Sequence, residues 1–215
     1  RMKTKYIFLC IALLSSLTLF AQKEQRAKDI LDKTSSTLSK DSGIKATFLL
    51  KNYRQNKLSG QTEGTISLKG NRFMLVTPGT TTWFNGKTQW TYVIENEEIN
   101  VSTPTEEELQ SINPYSFINL YKKGFDYKMA RTISYKGKSV YKVVLTPENK
   151  KQDISQIELL IEQSSSQPVF IRVHSKRGEE MTIEILSYRN KQNLPDNSFT
   201  LDTKRYPQAE IIDLR

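Results

Sequence analysis

Between residues 23 and 40, Ala27, Ile30, Leu31, Thr34 and Leu38 recur at helical spacing with charges between them, which predicts one amphipathic helix ended by Ser42-Gly43. From Ile44 the period drops to two. Phe48 and Leu50 alternate with Lys45, Thr47 and Lys51 and predict a strand, and a second strand over 61–68 follows a polar turn at 55–60. Gly70-Asn71 then turns into Arg72-Phe73-Met74-Leu75-Val76, an apolar run suited to a strand covered on both faces.

Pro78-Gly79 opens the stretch Thr80–Ile94, which holds both tryptophans around Asn85-Gly86. That dipeptide is a strong signal for a two-residue type I′ hairpin, because both central residues need positive φ. Such a loop sets Phe84 opposite Lys87, Trp83 opposite Thr88, Thr81 opposite Trp90 and Gly79 opposite Tyr92. Trp83, Trp90, Tyr92 and Ile94 then share one face, opposed by small residues.

After Glu98–Val101 the pattern breaks at Thr103-Pro104. Thr105 followed by Glu108 forms a capping box leading into Leu109 and Ile112. Asn113-Pro114 starts a second short helix carrying Tyr115, Phe117, Ile118, Leu120 and Tyr121, so apolar that it must be covered or cover something apolar. Alternating strands follow over 125–133, 139–147, 154–163, 167–175 and 180–188, and Asn197–Leu201 suggests a short last one. Turns at hairpin spacing and the absence of repeats or linkers indicate one meandering antiparallel sheet with helices, a single α+β domain.

The start of the chain reads differently. Lys3 and Lys5 precede an apolar run over 6–20, and Ala21 is a small residue at a cleavage point, so residues 1–21 read as a cleavable secretory signal with Arg1 set aside as a scar. The run is shorter than the roughly 20 residues a membrane helix needs. The expected mature domain is 22–215. Its removal takes away Cys10, the only cysteine, together with Arg1, Lys3 and Lys5 from the 32 Lys and Arg; the 29 left face 23 acidic residues, a net charge of about +6. Disulfide scaffolds, thiol catalysis and Cys-ligated metals are thereby excluded.

Export argues against nucleic acid as a partner. The basic residues also come singly or in pairs, Lys122-Lys123, Lys150-Lys151 and Lys176-Arg177, rather than in a stripe. His174 is the lone histidine and reads as an outward strand position, which leaves no imidazole pair for a metal. No phosphate loop, nucleophile elbow or zinc-binding helix is present. No cofactor, metal or catalytic residue is expected, and the chain reads as a non-enzyme. A single sheet with one apolar face needs a cover, here the first helix and the segment 106–121. If that cover is loose, an apolar cavity results, the usual form of a lipid or small-ligand site.

The stretch LKGNRFMLVTPGTTTWFNGKTQWTYVIENEEINV followed by NPYSFINL resembles the periplasmic lipoprotein carrier family LolA. The likeness lies in Phe73-Met74-Leu75 with Pro78, in Asn85-Gly86-Lys87-Thr88-Gln89-Trp90-Thr91-Tyr92, and in a lid at Asn113–Tyr121. Element order agrees over the mature chain, and residue likeness is confined to 68–120. The resemblance implies an incomplete antiparallel β-barrel, a strongly curved single sheet closed by a helical lid. It further implies a periplasmic monomer that carries lipoprotein acyl chains from an inner-membrane ABC exporter to an outer-membrane acceptor. The expected cavity residues are Phe48, Leu50, Phe73, Leu75, Trp83, Trp90, Tyr92, Phe117 and Leu120. Proteobacterial members have an Arg-Pro after the strand equivalent to 65–69, whose Arg hydrogen-bonds the lid. Gly70-Asn71-Arg72 stands there in this chain, so Arg72 is the displaced candidate latch. The alternative reading is an envelope sensor or protein-interaction module on the same scaffold.

Overall fold

A computed structural model describes residues 24–38 and 43–215. The expected signal segment and Cys10, the helix end at Ser42 and the first residues of the expected domain lie outside that set. Residues 24–38 form helix α1. Twelve strands follow: β1 Gly43–Arg54, β2 Lys57–Lys69, β3 Arg72–Val76, β4 Thr80–Phe84, β5 Gln89–Val93, β6 Glu98–Ser102, β7 Phe125–Tyr135, β8 Lys138–Pro147, β9 Ile154–Glu162, β10 Pro168–Ser175, β11 Glu179–Gln192 and β12 Glu210–Asp213. Helix α2 (Glu106–Ile112) and a 3₁₀ helix (Pro114–Lys122) sit between β6 and β7.

All twelve strands join in one sheet of order β12-β6-β5-β4-β3-β2-β1-β11-β10-β9-β8-β7. The sheet curves strongly and stays open, an incomplete barrel with edges at β7 and β12. Every pairing is antiparallel except at one edge. There β12 runs parallel to β6, with Ile211 beside Ile99. The last strand is therefore Glu210–Asp213, and the expected strand at 197–201 falls on a 3₁₀ turn, Asp196–Phe199. Pro195 ahead of that turn and the Asp196 side chain's engagement elsewhere favour a turn over a ladder.

Two turns depart from what composition predicts. Gln55 and Asn56 take φ of 50° and 61°. Arg54 faces Lys57 across them, so the two-residue hairpin loop of positive φ sits here without any glycine. At Asn85-Gly86 the loop has four residues instead, and Phe84 faces Gln89. The Asn85 side chain accepts bonds from the Lys87 amide (3.0 Å) and the Thr88 amide (2.8 Å), and this Asx turn outcompetes the type I′ geometry. Trp83 therefore stands directly opposite Trp90, and Thr81 opposite Tyr92. The register moves by two residues, so the faces of the hairpin are kept.

The core lies on the concave face. Ile44, Ala46, Phe48, Ile66, Leu68, Phe73, Leu145, Ile157, Leu159, Ile161, Ile171 and Ile183 are buried in one cluster with Ala27, Leu31 and Leu38 of α1 and Tyr115, Phe117, Ile118, Leu120 and Tyr121 of the 3₁₀ helix. Phe48 faces Gly64 on β2, where an added Cβ would lie 2.4 Å from Cζ of the Phe48 ring, so glycine is what leaves room for the tip of the ring. His174 lies on β10 between the inward Val173 and the turn, and its Nδ1 is 3.4 Å from a Glu180 oxygen. Among the described residues no helix is long and apolar enough to cross a membrane.

Candidate functional site

The two helical segments between β6 and β7 form a lid whose start is set by local chemistry. Thr105 caps α2 through the Glu108 amide while the Glu108 carboxylate accepts from the Thr105 amide at 2.7 Å, the expected capping box. Asn113 caps the 3₁₀ helix by accepting from the Tyr115 amide, with Pro114 at its first position.

Beneath the lid is a cavity of about 840 Å³, open along part of its rim. Its walls come from both flanks of the curved sheet: Leu68, Phe73 and Phe84 from β2–β4, and Phe125 from the edge strand β7. Leu38 of α1, Leu109 of α2, and Tyr115 and Leu120 of the 3₁₀ helix complete the apolar lining. Asn71, Glu106, Asn113, Ser116, Asn119, Gln152, Lys122 and Lys123 supply its polar parts. The size and the mainly apolar walls with few convergent polar groups suit a small apolar ligand or an acyl chain.

Of the nine expected cavity residues, Phe73 and Leu120 line this space. Phe48, Leu75 and Phe117 are buried in the same inner-face core, with Leu50 packed against it. Trp83, Trp90 and Tyr92 are not in the cavity at all. Phe73 faces Phe84 across the β3–β4 ladder, ring centroids 5.4 Å apart, while Met74 faces Trp83. Side chains alternate along a strand, so Phe84 points with Phe73 and the tryptophans point to the opposite, convex face.

There the C-terminal segment covers Trp83 and Tyr92. The Tyr206 ring lies 4.5 Å from Tyr92 and 5.7 Å, edge-on, from Trp83, and the buried Phe199 sits nearby on the same segment. Arg72 belongs to this arrangement and not to the lid. Its guanidinium reaches Asp196 at 2.9 Å and stands 5.6 Å over the Phe199 ring, and Lys69 reaches the same carboxylate at 3.1 Å. The Lys69 and Arg72 hydrogen bonds hold the Asp196 carboxyl below its ordinary range. Arg72 alternates with the inward Phe73, which is why it points outward and serves as a clasp for the C-terminal segment.

The lid is held from α1 instead. The Tyr121 hydroxyl donates to Asp32 at 2.6 Å, the Ser35 hydroxyl donates to the Asn119 side-chain Oδ1 at 2.7 Å, and the Lys122 ammonium donates to the Ser35 hydroxyl at 2.7 Å. Hydrogen bonds from Lys28 first, then Tyr121, lower the Asp32 pKa, while burial, then Asp32, raises that of Tyr121. Separation hides these partners from a sequence reading: Asp32 and Tyr121 lie 89 residues apart. Phe84, Leu68 and Phe125 are equally hidden, since only the β3–β4 register shows which hairpin face looks inward.

Two hydroxyls stand out within the core. Those of Tyr115 and Tyr188 are buried with no hydrogen-bond partner among the described residues. Burial raises both pKa values, that of Tyr188 to about 12, and Tyr188 adds to the rise at Tyr115. Among the described residues no group of three or more His, Cys, Asp and Glu could hold a metal.

A profile of the family described as Outer membrane lipoprotein carrier protein LolA matches residues 17–179. The chain belongs to this LolA family. Its fold is shared by solved structures of low sequence identity. An uncharacterized conserved protein from Thermus thermophilus superposes with a TM-score of 0.61 at 14% identity, over 86% of this chain and 98% of its own. A putative outer membrane lipoprotein-sorting protein domain from Vibrio parahaemolyticus gives 0.50 at 8% identity, over 82% of this LolA-family chain and 97% of its own. No curated protein matches the sequence.

Proposed function

We propose that this LolA-family protein is a periplasmic carrier that holds lipoprotein acyl chains in the cavity beneath its lid, taking them from an inner-membrane ABC exporter and passing them to an outer-membrane acceptor. The observation that carries the reading is the cavity of about 840 Å³ walled by Leu68, Phe73, Phe84, Leu109, Leu120 and Phe125. Family membership supports the class of cargo. Each CH₂ moved from water into such a wall is worth about 0.8 kcal/mol, so a long chain is held firmly only while the lid is closed. The lid packs its apolar side chains into the core and is pinned to α1 by a few part-buried polar contacts, so loading and release both require that packing to open.

Displacement of a fluorescent fatty acid from the purified protein tests the proposal. Phe84→Glu sets a carboxylate into the wall and should abolish uptake. Trp90→Glu, on the convex face, should leave uptake within about two-fold of wild type because it does not touch the cavity wall. No uptake by the wild type, with no acyl species on the protein in native mass spectrometry, would exclude the carrier. If an envelope-protein segment then co-purified, the interaction-module reading would take its place.

A further inference from the structure

The three basic pairs that are scattered along the chain meet in space. Lys122 and Lys123 close the lid's 3₁₀ helix and line the cavity rim, and Gln152, next to Lys150-Lys151, lines the same rim. The Glu148 amide donates to the Gly124 carbonyl at 3.0 Å, which seats the β8–β9 loop against the end of the lid. The Lys176 ammonium donates to the Lys150 carbonyl, and the Lys176 amide to the Asp153 carbonyl at 2.8 Å, which brings in the β10–β11 turn. All six basic residues are exposed.

The carboxylates around this cluster are fewer: Glu106 on the same rim, Asp126 at the start of β7, and Glu148 and Asp153 on the β8–β9 loop, the last 3.4 Å from Arg177. Lys123, Lys150 and Lys151 make no ion pair among the described residues. An Asx turn, Asn149 accepting from the Lys151 amide at 2.9 Å, fixes the direction of the Lys150-Lys151 loop.

We propose that this cluster is a docking surface for an anionic phospholipid bilayer, one that turns the cavity rim toward the membrane. A bilayer is favoured over an acidic protein because the lysines share their rim with an apolar opening. A membrane offers phosphates at the level of the ammonium groups and acyl chains immediately below them. Lysines near an anionic surface contribute roughly five-fold each to partitioning, falling off with salt within a Debye length. Docking of this kind is reversible, and it stands whether or not the cavity carries acyl chains.

Co-sedimentation of the purified protein with vesicles tests it. Vesicles of phosphatidylcholine with phosphatidylglycerol should bind the protein at low salt, and pure phosphatidylcholine vesicles should not. Lys150→Glu with Lys151→Glu should lower binding by at least about 25-fold. Lys45→Glu with Lys204→Glu, the same charge change at exposed positions on other elements, should lower it only a few-fold. Failure of the wild type to prefer anionic vesicles overturns the proposal. So do equal losses in the two double variants, which would mean that net charge and not this surface is read. Soluble polyglutamate bound as tightly as the vesicles, with the same loss on Lys150→Glu with Lys151→Glu, would assign the surface to an acidic protein instead.

Discussion

Tyr121→Phe removes one oxygen from the contact that fastens the lid to α1 and leaves the ring in place. Its hydroxyl donates to Asp32 at 2.6 Å, and a hydrogen bond to a charged acceptor contributes roughly 1.5–3 kcal/mol. Two facts lower that figure. The Asp32 side chain is 47% exposed, and its other oxygen already takes a bond from Lys28. Solvent screening brings the contribution to about 1 kcal/mol, or about a five-fold rise in the open fraction of the lid. Hydrogen exchange at the amides of residues 115–121 reads that fraction, with the denaturant midpoint as the measure of global stability.

The same contact carries a pH dependence. The folded Asp32 pKa lies below its ordinary value near 3.8, so its stabilising effect is complete above that value and is lost as pH falls through the depressed one. Lid protection, taken relative to the intrinsic exchange rate at each pH, should be flat from about pH 5 to 8 and should fall in the acid range in wild type more than in Asp32→Asn. If Tyr121→Phe lowered the global midpoint and left relative lid exchange unchanged, the latch would be refuted and the bond would be ordinary packing.

Three further outcomes follow from single contacts. Gly64→Ala puts a methyl 2.4 Å from the Phe48 ring and should cost about 1–3 kcal/mol; Phe48→Leu in the same chain should recover part of it, and additive losses in thermal unfolding would refute the clash. Tyr115→Phe removes a buried hydroxyl without a partner among the described residues and should stabilise by about 1 kcal/mol, a rise of roughly 2–4 °C in Tm, whereas a lower Tm would mean that the hydroxyl is satisfied. Arg72→Ala should free the C-terminal segment to proteolysis and leave fatty-acid uptake within about two-fold, because its partners are Asp196 and Phe199 on the convex face; lost uptake would return Arg72 to the lid.

What could be read from the chain were features that neighbours in sequence settle among themselves. The α1 face of Ala27, Leu31, Thr34 and Leu38 is buried as its spacing requires, because helical periodicity and solvent are enough to choose it. The Thr105–Glu108 capping box, the Asn113 cap and the alternation of β8–β10 are local in the same sense. The family likeness over 68–120 rested on such segments and led to the right fold.

Sidedness was another matter. Alternation groups Trp83 with Trp90 and Tyr92, yet nothing in the hairpin says which side of the sheet the group faces. That choice came from the β3–β4 ladder, which aligns Phe73 with Phe84, and from a C-terminal segment more than a hundred residues away that brings Tyr206 over Trp83 and Tyr92. The same holds for Arg72 with Asp196, for Asp32 with Tyr121, and for three lysine-bearing loops that meet at the cavity rim. Side-chain period is a property of the local backbone, whereas register, face and long-range pairing depend on how distant segments share one sheet, so they took shape only when the whole chain packed.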